Sequence, residues 1–184
     1  MQLLDSFPAL QEAFEKNWRP VSTPALIGWM IFYGAFLLHA LTNRSGFLII
    51  DSANLIVHES GHLLFGWFGP KLGLWGGTLM ELLVPLALTL YFAFHRQTTG
   101  AAFTTFFFFE NFLYISVYAG DARAQVLPLV TVGDTSEGAH DWFRILSSLG
   151  LLQQDTAIAG AIKTVGWLGM LATLGWLVKR ARAG

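Results

Sequence analysis

Residues His58-Glu59-Ser60-Gly61-His62 form an HExxH motif inside an apolar stretch of the chain. Side chains four positions apart in a helix lie one turn apart on the same face, so His58 and His62 are spaced to bind one Zn²⁺ ion. Glu59 lies beside that face, where it is positioned to take a proton from a metal-bound water. The motif therefore predicts a zinc site with Glu59 as the catalytic residue.

The polar face of this predicted helix extends beyond the motif. Asp51, Asn54, His58 and His62 follow one another at steps of three, four and four residues, so all four side chains face one way. Paired histidines also occur as simple hydrogen-bonding partners between helices. The carboxylate of Glu59 at the catalytic offset favours the metal site over that alternative.

A third protein ligand is needed, because catalytic zinc usually has three protein ligands and one open position. The chain has no cysteine, so the ligand must be His, Asp, Glu or Asn. His140 is one candidate, since it lies in a polar segment and Asp141 is placed to orient its ring. Asp121, at the end of a predicted helix, is the other candidate. Either residue or both are predicted ligands, and a site with two metals stays open.

The composition predicts an all-α integral membrane protein with the lipid bilayer as a partner. Of the 184 residues, 54% are hydrophobic and 12% are charged, and the mean hydropathy is +0.52. Soluble domains carry about 25% charged residues, which they need for a hydrated surface. The formal net charge of −1 gives no electrostatic reason to expect nucleic-acid binding. Residues 1–184 are interpreted as one helical membrane domain.

About five apolar segments have the length of membrane spans. The predicted spans are residues 24–41, 47–68, 72–94, 101–119 and 157–178, with HExxH in the second. Residues 1–22 are predicted to form an amphipathic, interfacial segment rather than a signal peptide, with a mobile polar tail as the alternative. Residues 120–155 are predicted to form a longer extramembrane loop. The basic residues near the C-terminus favour a cytoplasmic end. Short loops and the lack of a signal peptide favour a prokaryotic inner (plasma) membrane.

Three polar residues fall within predicted spans and need partners there. Glu81, Glu110 and Asn111 would each be costly to bury in a membrane without a proton, a partner or water. They are predicted to hydrogen-bond to the metal-binding histidines, to line a water path or to bind the substrate backbone. The alternative is that they hold helices together, with Lys163 as a possible ion-pair partner.

An HExGH sequence on a membrane helix resembles the site-2 protease type of intramembrane zinc metalloprotease. In that family two histidines and a distant aspartate bind zinc, and the glutamate activates water to cleave a peptide bond within the bilayer. The resemblance implies zinc binding by His58 and His62 and catalysis by Glu59. It also implies an aspartate on a later helix, for which Gly120-Asp121 is the nearest analogue in this chain.

The leading hypothesis is therefore a membrane-embedded zinc metallohydrolase, a peptidase that acts on a membrane-associated substrate. A lipid amide or ester hydrolase would use the same site, and the route by which substrate reaches the metal would separate the two. A metal-ion transporter or sensor is a different class, in which Glu59 need not be a base. A structural zinc would instead have four protein ligands and no open position.

Overall fold

A computed structural model describes residues 18–43, 46–128 and 140–183, and every regular element within those ranges is helical. In chain order the α-helices are α1 (Thr23–Thr42), α2 (Asp51–Gly66), α3 (Pro70–Phe94), α4 (Thr98–Gly120), α5 (Asp141–Ser148) and α6 (Asp155–Ala183), and a 3-10 helix at Leu152–Gln154 precedes α6. The predicted all-α class is confirmed for these residues. Most of the predicted amphipathic segment 1–22 lies outside them.

Four helical segments are long and apolar enough to cross a membrane, as judged by their length and composition. They are Thr23–Thr42, Pro70–Phe94, Thr98–Gly120 and Leu152–Arg182. Each corresponds to one of the predicted spans. The second predicted span, residues 47–68, contains only the 16-residue α2. At 1.5 Å per residue α2 is about 24 Å long, shorter than the roughly 30 Å hydrocarbon core of a bilayer. The fifth span stays a prediction.

Burial in this protein differs from burial in a soluble domain. Several large apolar side chains on the helices are between 62% and 73% exposed: Ile31, Leu38, Ile56 and Leu168. In contrast, the carboxyl groups of Asp51, Glu81 and Glu110 are buried. Exposed apolar side chains around an interior that contains buried carboxyl groups are the pattern expected of helices surrounded by lipid.

Glycines allow neighbouring helices to approach closely, both at the HExxH motif and between α4 and α6. A Cβ atom added to Gly61 of α2 would overlap the carbonyl oxygen of Gly76 on α3. Between α4 and α6, a Cβ added to Gly166 would lie 2.9 Å from the carbonyl oxygen of Phe109, and one added to Gly169 would overlap the Phe109 ring. Since only a residue without a side chain fits these positions, the glycines fix the distance between neighbouring helices.

The predicted loop 120–155 contains a short helix, α5, that the sequence analysis did not anticipate. Trp142, Ile145 and Leu146 lie on one face of α5 and are buried together with side chains of α3 and α4. The Trp142 ring contacts the Trp75 ring edge-on, with 6.0 Å between centroids. This apolar face holds α5 against the bundle, so the first residue of α5, Asp141, is brought to the HExxH motif.

Candidate metal centre

The two motif histidines meet as the helical spacing predicts. His58 is buried and His62 is half-buried, and their Nε2 atoms lie 3.0 Å apart. Each ring is oriented through its other nitrogen. His58 Nδ1 is 2.8 Å from Glu81 Oε1, and His62 Nδ1 is 2.7 Å from the carbonyl oxygen of Gly73. Metal-binding histidines are commonly oriented by such a carboxylate or carbonyl oxygen.

Asp141 completes the cluster. Its Oδ2 atom lies 3.1 Å from His58 Nε2 and 2.9 Å from His62 Nε2. Ligand atoms of His58, His62 and Asp141 all lie within 4.8 Å of one another, and this is the one group of three such residues among the described parts of the chain. Asp141, interpreted from the sequence as a residue that orients His140, instead contacts both motif histidines directly. The cluster has the ligand types that could hold a metal ion.

The protonation pattern of the cluster calls for a positive charge at its centre. A carbonyl oxygen can only accept a hydrogen bond, so the Nδ1 atom of His62 carries the hydrogen that it donates to Gly73. Glu81 is placed to accept from His58 in the same way. With this assignment of tautomers, two neutral rings direct Nε2 lone pairs at one another and at the Asp141 carboxylate. Three electron donors at this spacing repel each other unless a proton or a metal cation lies among them.

The separations of the three donor atoms are hydrogen-bond distances that also come close to the ligand separations around a tetrahedral metal ion. Ligands about 2.0–2.1 Å from a tetrahedral zinc ion lie about 3.3 Å from each other. The observed separations of 2.9, 3.0 and 3.1 Å are therefore within a few tenths of an ångström of that value. Two imidazoles and one carboxylate also form a donor set typical of catalytic zinc, which leaves a fourth position for water or substrate.

Asp141 is held in place by α4 as well as by the histidines. Its backbone N–H donates to the Tyr118 hydroxyl oxygen at 3.0 Å, and that hydroxyl lies 3.4 Å from Asp141 Oδ2. Burial works to raise the pKa of the Asp141 carboxyl. When His58 and His62 carry a proton on Nε2, their hydrogen bonds to the carboxylate outweigh burial and hold this pKa below its ordinary value. Asp141 is therefore ionised near neutral pH, as a metal ligand must be.

The other two predicted ligands, His140 and Asp121, lie outside the cluster and face each other. His140 Nε2 is 3.4 Å from Asp121 Oδ2, a long contact. The Asp121 carboxylate accepts hydrogen bonds from the backbone N–H groups of Val126 and Leu127, both at 3.0 Å. The Asp121 carboxylate thereby closes the turn after α4. Neither Asp121 nor His140 belongs to the three-residue cluster.

His140 has a structural position at the start of α5. Its Nδ1 atom accepts from the backbone N–H of Phe143 at 3.2 Å, which makes His140 the N-cap of the helix that begins with Asp141. Burial lowers the pKa of the His140 ring below its ordinary value, despite the nearby carboxylate of Asp121. A neutral ring is the form that can cap a helix, because the unprotonated nitrogen accepts the hydrogen bond.

The polar residues predicted within the spans take different positions. Glu81 hydrogen-bonds to His58, which is one of the roles predicted for it. Glu110 lies 3.4 Å from the side-chain nitrogen of Asn54, and that nitrogen also donates to Asp51 at 3.2 Å. The Asn111 side chain donates to the Phe107 carbonyl oxygen on its own helix at 2.9 Å. Of these residues, Glu81 contacts a histidine of the cluster directly.

Glu59 is half-buried beside the cluster and faces open space. A cavity of about 460 Å³ is lined by Glu59, His58 and Tyr118 together with apolar side chains. This volume is within the range of about 300–1,000 Å³ found for small-molecule sites. A carboxylate next to both a metal-ligand set and a cavity is placed where a general base for a bound substrate is needed.

We predict that Gly77→Ala weakens metal binding about 10- to 100-fold, the usual effect of disturbing residues that orient metal ligands. A Cβ atom at Gly77 would overlap the His58 ring, so the ring must move away from Glu81 and Asp141. Zinc affinity measured by competition with a chelator tests this. Gly66→Ala on α2 is the matched control, because a Cβ atom there meets nothing within 4 Å and should leave affinity unchanged.

The sequence signal for the role of Asp141 is the apolar spacing of the residues that follow it. Trp142, Ile145 and Leu146 are spaced as an apolar helical stripe, preceded by a residue able to cap a helix. This pattern predicts a short amphipathic helix inside the polar segment 120–155, with Asp141 in its first turn. An amphipathic helix must pack its apolar face against something, and packing on the bundle brings Asp141 towards the span that carries HExxH.

The chain matches no protein-family model, no curated protein and no solved structure. Its interpretation therefore depends on the chemistry of His58, Glu59, His62 and Asp141 as the fold arranges them.

Proposed function

We propose that the protein is a membrane-embedded zinc metallohydrolase, most directly a peptidase, in which His58, His62 and Asp141 bind Zn²⁺ and Glu59 is the general base. The observation that carries this proposal is the convergence of two Nε2 atoms and one carboxylate oxygen within 3.1 Å of each other. The arrangement of two histidines from HExxH and one distant aspartate resembles the ligand set of site-2 proteases. Asp141 takes the place for which Asp121 is the sequence candidate.

The number of ligands supports a catalytic rather than a purely structural zinc. A structural site is closed by four protein ligands, whereas the described residues supply three. Glu81 is next to the site, but its carboxylate is engaged with His58 Nδ1 and so acts on the metal only through that ring. One position is left for water or for a substrate carbonyl, and Glu59 lies beside the cavity that leads there.

Each residue of the site has a separate role in the proposed mechanism. When bound, zinc would supply a Lewis acid that lowers the pKa of its water towards neutrality. Glu59 accepts the proton of the attacking water and then returns it to the leaving amine. Glu81 and the Gly73 carbonyl hold the two imidazoles in the tautomer that presents Nε2. Tyr118 holds Asp141 against the histidines.

The setting of this chemistry is proposed to be a lipid bilayer. Four helical segments suit a membrane by length and composition, and α2 is proposed to be the fifth, held inside the bilayer by its contacts with α3. Its polar face is then shielded from lipid by the residues that it binds. A prokaryotic inner membrane, with Arg180 and Arg182 on the cytoplasmic side, fits the positive-inside rule.

Metal stoichiometry and removal test the proposal. The detergent-purified protein is expected to contain about one zinc per chain, and His58→Ala is expected to contain none. Cleavage of quenched fluorescent peptides with apolar residues at the scissile bond should stop after chelation and return when zinc is added. Failure of the wild-type protein to bind zinc, even when zinc is supplied, would contradict the proposal. A zinc-bound protein without hydrolytic activity would favour the transporter or sensor class.

A further inference from the structure

The cavity next to Glu59 has walls from three parts of the chain. Besides His58 and Glu59 it is lined by Phe47, which precedes α2, by Leu55 of α2, by Tyr114 and Val117 of α4, and by Leu127 in the turn after α4. The rings of Phe47 and Tyr114 meet edge-on, with 6.1 Å between their centroids, and form a continuous aromatic wall. The cavity is therefore bounded by packed apolar side chains immediately beside the proposed base.

In the part of the cavity lining that the structure describes, charge is confined to the proposed catalytic centre. Among the residues that line it, the ionisable groups other than tyrosine are His58 and Glu59, and both belong to the proposed catalytic centre. A charged substrate group deeper in the cavity would lose its hydration without finding a partner, which is costly. An aliphatic or aromatic group would instead exchange water or lipid contacts for packing against rings and methyl groups.

We propose that this cavity is the specificity pocket of the enzyme and binds a bulky uncharged side chain next to the scissile carbonyl of a peptide substrate. The inference rests on the proposed function, because it assumes that the carbonyl lies at His58 and Glu59. Walls of aromatic and branched apolar side chains suit an aromatic or branched group. A long acyl chain would need a narrow tunnel that continues away from the site.

Leu55 lines the pocket from α2. It precedes Glu59 by four residues, so the two side chains lie one turn apart on the same face of α2. A larger side chain at this position would occupy part of the cavity from within α2, and Leu55 is not itself one of the proposed ligands. The adjacent residue, Ile56, offers a matched control, since it is 73% exposed and does not line the cavity.

Two hydroxamates that share a zinc-binding group test the pocket. N-acetyl-phenylalanine hydroxamate and acetohydroxamate are titrated into the zinc-loaded, detergent-purified protein, with affinity measured by calorimetry. Wild type is expected to prefer the phenyl compound about 10- to 100-fold, as burial of a Phe-sized group would give. Leu55→Trp should reduce the preference to about threefold or less. Its zinc content and its affinity for acetohydroxamate should not change, and Ile56→Trp should behave as wild type.

The outcomes separate this inference from the proposed function. A wild-type protein that contains zinc and binds both compounds equally would overturn the pocket alone. A preference that Leu55→Trp and Ile56→Trp both keep would place the phenyl group elsewhere, and that too would overturn the pocket. Octanohydroxamate bound more tightly than the phenyl compound, with the advantage lost in Leu55→Trp, would overturn the peptide assignment in favour of a lipid acyl chain. Absence of zinc would overturn both proposals together.

Discussion

Asp141→Asn is expected to abolish stoichiometric zinc binding while the chain stays folded. The substitution keeps the size of the side chain and the backbone hydrogen bond to Tyr118, but it removes the negative charge that faces both histidines. The free energy of zinc binding at structural sites is about 10–16 kcal/mol in total. Loss of one of four ligands therefore corresponds to roughly 3 kcal/mol, which lowers the affinity for zinc about 10²-fold to 10³-fold. Zinc content after dialysis against a weak chelator measures the effect.

The same experiment decides between the three candidates for the third ligand. Asp121→Asn and His140→Asn are the matched variants, since each replaces a neighbouring buried polar residue with the same amide. Asparagine is a good N-cap, so the second variant preserves the start of α5. Both are expected to retain zinc, with affinity within about tenfold of wild type, the lower limit of indirect effects on metal sites. Zinc lost in either of them and kept in Asp141→Asn would contradict the assignment of Asp141. Helical circular dichroism and size exclusion in detergent confirm that each variant is folded.

The contrast between Asp141 and the histidines shows which parts of the site are readable from sequence. His58, Glu59 and His62 fall within one turn of one helix, and the helical repeat alone fixes their relation. His58 and Asp141 are separated by 83 positions, so their contact depends on how α5 packs on α3 and α4. His140 was a candidate ligand because histidine commonly binds zinc. Helix α5 begins at the next residue, Asp141, and it is the Asp141 side chain that contacts the motif histidines.

Hydropathy identified the helices well but not their relation to the bilayer. A long apolar segment can be recognised from its own residues, without knowledge of what packs against it. Helices occur at all five predicted positions. The length of α2 was less readable, because the apolar run around HExxH extends past both ends of the helix. Residues 47–50 precede α2 in non-helical backbone, and Trp67 and Phe68 follow it. An apolar run measures compatibility with lipid, whereas helix ends depend on local backbone hydrogen bonds.

Glu81 illustrates a third case, in which the sequence narrows the possibilities and geometry selects one. A carboxylate within a span must have a partner, and this requirement alone predicts a buried polar contact. The residue that it contacts depends on the close approach of α2 and α3, which Gly61, Gly76 and Gly77 permit. The small residues and the buried carboxylate thus belong to one arrangement, since Glu81 reaches His58 only when the two helices touch.

Glu59→Gln is expected to lower peptide hydrolysis by about 10²- to 10⁴-fold, the usual contribution of a general base, and to leave zinc at about one per chain. Glutamine has nearly the same shape as glutamate, but its amide cannot accept a proton from water. Glu59 is not a member of the three-residue cluster, so the affinity for zinc should not depend on its charge. Hydrolysis of the quenched peptides and elemental analysis are measured on the same preparation.

Ser60→Ala is the control for Glu59→Gln, because Ser60 is the next residue of the same motif and lies on the exposed side of α2. Its hydroxyl donates to the Val57 carbonyl oxygen at 2.7 Å and is not part of the cavity lining. This variant should cleave peptides at the wild-type rate.

If Glu59→Gln also cleaved at that rate, another group would have to take the proton from water. If Glu59→Gln lost zinc together with activity, Glu59 would be a ligand or a structural residue, and the division between metal ligands and base would be wrong. A metallohydrolase requires that Glu59→Gln retain zinc and lose peptide hydrolysis. A metal carrier or sensor would show no peptide hydrolysis in the wild-type protein, so the substitution would change no hydrolysis rate.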